Sequence, residues 1–138
     1  MKIEIQRIQT PFHLRATNES GNHLDTDASP SIGGTGQGMR PMELLLAGIG
    51  SCSSIDVIDI LRKQRQELED IQIIVDGERE ADKVPSLFSK IHLHFILKGN
   101  LDEEKVKKAL DLSITKYCSV AKTLEKTAEI NYSFEINP

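Results

Sequence analysis

Apolar and polar residues alternate from the first positions of the chain, and the spacing predicts short strands over residues 2 to 8 and 12 to 17. Thr10-Pro11 joins them, and the run Asn18-Glu19-Ser20-Gly21-Asn22 carries the residues of a reversing turn, so the N-terminus reads as a β-meander. From Asp25 to Gly38 the text DTDASPSIGGTGQG has five glycines or prolines and little that is apolar apart from Ile32. That composition predicts a loop, whose simplest role is a passive surface linker.

At Pro41 the period changes. Proline suits the first helical turn, where a missing N–H costs nothing, and Glu43 lies where the helix dipole favours an acid. A helix is predicted from Pro41 to about Gln66 whose first half, MELLLAGIGSCSSIDVIDIL, is apolar nearly all round. Such a helix should be central and buried on every side, covered by sheet on one flank and by helices or a second subunit on the other. Gly48 and Gly50 each lower helix propensity by roughly 1 kcal/mol relative to alanine, which predicts close approach of another backbone just before Cys52.

Period two returns at Ile71, Ile73 and Val75 and again at Ile91, Leu93, Phe95 and Leu97, predicting two antiparallel strands. Asn100 to Asp102 can cap a second helix carrying Val106, Ala109, Leu110, Ile114 and Tyr117 at helical spacing and delivering Cys118 at its end. A short helix over Ser119 to Lys126 and a closing strand through Ile130, Tyr132, Phe134 and Ile136 complete the order β-β-loop-α-β-β-α-α-β. The class is α+β with an antiparallel sheet, and 138 residues set the expectation of a single domain, 1–138.

Charge narrows the function. A net charge of -4 with mixed signs leaves no electropositive surface for phosphates, so nucleic acid is not an expected partner. No secretory signal opens the chain, and the apolar run Met42 to Ile49 is far short of the roughly 20 residues that span a bilayer. A cytoplasmic protein without a membrane segment is expected. The run Asp102-Glu103-Glu104-Lys105 reads as a solvated helix start, and Arg79, between Glu78 and Glu80, as a solvated charge.

Two cysteines are too few for a disulfide framework, so any pairing between them is functional. Four histidines and two cysteines show no metal-ligand spacing, and His92 and His94, on the same side of their strand, lack an evident third ligand. Neither metal nor cofactor is expected. For an arbitrary pair of cysteines 66 residues apart, burial as small inert hydrophobes is the default.

The wording around both cysteines changes that default. RPMELLLAGIGSCSSIDVIDIL resembles the central helix of the OsmC/Ohr hydroperoxide-reductase family, in which a P-x-E-L-L-type start precedes the first reactive cysteine by about ten residues. DLSITKYCSVAKTL resembles that family's second cysteine motif, and IHLHFILKGN with the KYCSVA wording is similar to its YhfA-type branch. The resemblance covers nearly the entire chain. It implies an OsmC-like fold and an intertwined homodimer packed through long central helices. It also implies organic hydroperoxide as substrate, with Cys52 attacking the peroxide and oxidised to a sulfenic acid, Cys118 resolving it to a disulfide, and an external dithiol as reductant.

A thiol in apolar surroundings resists ionisation and needs a cation or hydrogen-bond donors to become a nucleophile. Family peroxidases supply an arginine held by a glutamate, and that glutamate stands where this chain has Met42. Glu43 occupies the neighbouring position, about 100° round the helix. Arg40 and Arg15 are the candidate arginines. Met42 keeps a second reading open, a redox sensor or a small apolar-ligand binder built on the same fold, and a dimeric scaffold with two inert thiols is a third.

Overall fold

A computed structural model describes all residues, Met1–Pro138, and the chain divides into two compact units, Met1–Leu45 and Leu46–Pro138. The first unit is the expected meander with a strand more than the sequence suggested. Strands β1 (Ile3–Gln9), β2 (His13–Asn18) and β3 (His23–Thr26) form an antiparallel sheet in the order β1-β2-β3. Between β2 and β3 the Asn18 side chain accepts from the backbone N–H groups of Ser20 and Asn22, and Gly21 takes φ +87°, so the turn is built from asparagine chemistry and one left-handed glycine. Ile3 and Ile5, on one face of β1, remain exposed in the single chain.

The glycine-rich segment after β3 is ordered around a single carboxylate and is no passive linker. Asp27 is buried and accepts hydrogen bonds from Ala28 N, Thr35 N, Thr35 Oγ1 and Gln37 N, at 2.7 to 3.1 Å. A short 3₁₀ turn, Pro30–Ile32, lies inside the loop. Burial pushes the Asp27 carboxyl up, but the donors from Gln37, Ala28 and Thr35 outweigh it and hold the group below its ordinary value.

Helix α1 (Pro41–Lys63) begins at the expected proline. The remaining elements belong to the second unit: β4 (Glu67–Arg79), β5 (Phe88–Asn100), α2 (Glu103–Leu112), a π-helical turn (Ser113–Tyr117), α3 (Ser119–Leu124) and β6 (Glu129–Ile136). Strands β4 and β5 pair antiparallel as read from the sequence, whereas β6 joins β5 in parallel, so this sheet is mixed and not wholly antiparallel. Ile91, Leu93, Phe95 and Leu97 turn one face of β5 into the core, with Ile49, Val57 and Leu61 from α1 and Val106, Ala109 and Leu110 from α2. Phe95 meets Tyr132 of β6 edge to face at 6.4 Å.

Three expectations about α1 change with the structure. Its apolar surface is not buried all round in the single chain, because Leu45, Ile55 and Ile58 stay 39%, 67% and 42% exposed. Its apolar length also exceeds the Met42 to Ile49 run: the helix has 23 residues and is long and apolar enough to cross a membrane by length and composition. Yet Ile49, Gly50, Ser53, Val57 and Leu61 are buried in the second unit, as in a core helix. The two glycines also differ. A Cβ on Gly50 would lie 2.9 Å from Val75 Cγ2, so a side chain of β4, not a backbone, approaches there, while a Cβ on Gly48 would meet only Val120 Cγ1 at an ordinary 3.8 Å.

Candidate functional site

Cys52 lies at the start of the fourth turn of α1, half-buried, two residues after the close contact of Gly50 with β4. Cys118 arrives from the other direction. The π-helical turn Ser113–Tyr117 interrupts the helical run after α2, and such turns insert one residue and redirect the chain beyond them. Cys118 then takes an extended conformation (φ -70°, ψ 104°) as the cap of α3, its Sγ accepting from Ala121 N at 3.3 Å. The outcome is that residues 66 positions apart meet: both sulfurs and a carboxylate oxygen of Asp56 lie within 4.8 Å of one another. Both thiols are free.

The two sulfurs have different surroundings. Cys118 is fully buried and Cys52 is partly open to solvent. Burial pushes the Cys118 thiol up, hydrogen bonds from Ser53 Oγ and Ala121 N pull the other way, and neighbouring Cys52 pushes it up again, so the net direction is upward. Ser53 and Ser113, both fully buried, carry the polar links of the site. Ser53 Oγ donates to Cys118 Sγ at 3.4 Å, and Ser113 Oγ donates to Ser53 O at 3.4 Å and to Asp56 Oδ2 at 3.2 Å.

The expected supporting residues are engaged within the first unit. Glu43 Oε1 accepts from the backbone N–H of Arg40 and from Arg40 Nε at 3.0 and 3.1 Å, the reach-back of a capping box at the start of α1. Arg15 and His13 both bind the Asp25 carboxylate, with Arg15 Nε at 2.7 Å and His13 Nε2 at 2.8 Å, and Arg15 more than His13 holds that carboxyl far below its usual range. Arg79 donates to the Ser86 carbonyl in the β4–β5 hairpin. His92 and His94 share a face of β5 as expected, and bond to Asn131, Ser133 and Glu135 of β6 in a ladder that accounts for all four ring nitrogens.

A sequence profile of OsmC-like proteins matches residues 34–133. The chain belongs to the OsmC-like family. Protein YhfA of Escherichia coli strain K12 is 46% identical to this OsmC-like protein over 97 residues, which are 70% of this chain and 72% of YhfA. A protein from Aquifex aeolicus VF5 superposes with a TM-score of 0.83 at 31% identity, covering 99% of this chain and 97% of that one. The organic hydroperoxide resistance protein OsmC of Legionella pneumophila, at 16% identity, shares the fold with a TM-score of 0.74 over 98% of this chain and 97% of its own. The α+β class with two sheets is therefore that of OsmC-like proteins.

Sequence reasoning missed Ser53, Asp56 and Ser113 in this OsmC-like protein. A signal existed for Asp56, which is an acid four residues after Cys52 on an otherwise apolar helix face, where i and i+4 side chains are neighbours. The absence of a metal-ligand set also needs amending, because spacing along the chain could not show that Cys118 would join Cys52 and Asp56.

Proposed function

We propose that this OsmC-like protein reduces organic hydroperoxides through Cys52 and Cys118. The reading rests on one observation: a half-buried cysteine and a fully buried one bring their sulfurs within 4.8 Å of each other in an all-thiol state. Cys52 is the sulfur a hydroperoxide can reach. Its thiolate attacks the O–O bond, the distal oxygen passes to sulfur as a sulfenic acid, and the alkoxide leaves as ROH after taking a proton. Cys118 then attacks the sulfenic sulfur, a disulfide forms, and the oxygen leaves as water. An external dithiol returns both thiols by exchange.

Stoichiometric cumene hydroperoxide followed by thiol titration and intact mass tests the scheme. Both thiols should vanish from the wild type with the mass of one disulfide, and Cys118→Ser should stop at an oxygenated Cys52. Retention of both thiols in the wild type rejects the proposal. Met42 at the position of the family's glutamate, together with Arg40 bound by Glu43, favours a second reading in which the same pair senses oxidants without turnover. Steady-state consumption of hydroperoxide with a dithiol separates the two. A homodimer is part of the proposal, supported by the open apolar residues Ile55 and Ile58 of α1 and Ile3 and Ile5 of β1, and a monomeric mass by light scattering would reject it.

A further inference from the structure

We propose that the reduced protein holds a zinc-class divalent cation on Cys52, Asp56 and Cys118. Three potential ligands, two sulfurs and a carboxylate oxygen, converge within 4.8 Å, and no lysine, arginine or histidine makes an ion pair with Asp56 or donates to either sulfur. Tetrahedral zinc with S and O ligands at about 2.3 and 2.1 Å places ligand atoms about 3.6 to 3.8 Å apart, so the trio needs to contract by no more than about 1 Å. Two thiolates select a borderline metal such as zinc over magnesium or calcium, which take oxygen ligands.

The surroundings resemble an outer shell already in place. Ser113 Oγ fixes Asp56 Oδ2 at 3.2 Å, and Ser53 Oγ and Ala121 N donate to the Cys118 sulfur at 3.4 and 3.3 Å. Donors of this kind orient ligands and offset charge on a bound thiolate. Cys52 and Asp56 are both half-exposed, which gives the ion a path from solvent and leaves the fourth position to water.

Such a site is tied to the redox state of its ligands. Resting on the thiol chemistry proposed above, a zinc bis-thiolate plus ROOH and two protons gives the Cys52–Cys118 disulfide, ROH, water and free Zn²⁺. Two electrons pass from the sulfurs to the O–O bond. Oxidation of the bound thiolates therefore empties the site.

Anaerobic titration of reduced, metal-free protein with Co²⁺, followed by Zn²⁺ displacement, tests the inference. One equivalent should bind with thiolate-to-cobalt charge-transfer absorption, and Mg²⁺ in excess should not displace it. Asp56→Asn should weaken binding at least about a hundredfold, and Ser113→Ala, which keeps every ligand, about tenfold, each with a native far-UV spectrum. Absence of charge-transfer absorption in the wild type, or equal affinity in Asp56→Asn, overturns the site. Disulfide formation by hydroperoxide without cobalt binding overturns the metal site alone, whereas cobalt binding without disulfide formation supports the site and rejects the peroxide chemistry.

Discussion

Gly48 and Gly50 are two residues apart on α1 and should respond in opposite directions to one added methyl group. Glycine to alanine in a helix interior gains about 1 kcal/mol from propensity. At position 48 that gain stands, because the new Cβ makes only van der Waals contact with Val120 Cγ1 at 3.8 Å. At position 50 the Cβ would lie 2.9 Å from Val75 Cγ2, and valine is stiff at χ1, so α1 and β4 must part. Overpacking of this kind costs about 1 to 3 kcal/mol, which leaves Gly50→Ala destabilised by about 0 to 2 kcal/mol. For a chain of 138 residues, 1 kcal/mol moves the melting temperature by about 4 °C. Urea and thermal melts of the reduced proteins should therefore show Gly48→Ala about 4 °C above the wild type and Gly50→Ala level with it or up to about 8 °C below. If Gly50→Ala is as stable as Gly48→Ala, the α1–β4 contact does not constrain the helix that carries Cys52.

Ser53→Ala removes a donor that opposes the upward push of burial on Cys118, so the pH profile for alkylation of Cys118 should move to higher pH. Asp27 and Asp111 are both held below the ordinary carboxylate value, the first by loop donors against burial, the second by Lys107 and then Tyr132. Groups with depressed folded-state values add stability that is present above the unfolded value, about pH 4, and is lost as pH falls through the folded one. Urea midpoints should thus drop below about pH 4, and Asp27→Asn, which turns an amide N–H₂ toward loop donors, should be less stable at pH 7 and flatter in acid. Tyr132→Phe removes one partner of the half-exposed Asp111 and should cost about 1 kcal/mol in a urea melt at pH 7.

What could be read from the sequence was whatever periodicity encodes. The run from Ile91 to Leu97 fixed which side of β5 faces the core, and so placed His92 and His94 together. Asp102, read as a cap, does accept from Lys105 N at the start of α2. Alternation carries no direction, so the parallel pairing of β6 was invisible, and β3, with only four residues, His23–Thr26, was too short to show a period. Apolarity showed that α1 needs covering but not what covers Ile55 and Ile58. The two cysteines were found through motif wording, whereas Ser53, Asp56 and Ser113 were not, because a polar residue inside an apolar helix shows its partner only after the chain has folded.

The π-helical turn at Ser113–Tyr117 makes the meeting of the two sulfurs depend on a single residue. Excising one residue there would restore ordinary α geometry and swing position 118 by about 100° about the helix axis. The strands would keep their pairing, and both thiols would survive apart from one another. Removing one residue from that turn would therefore be a compact way to part the two sulfurs without touching either cysteine.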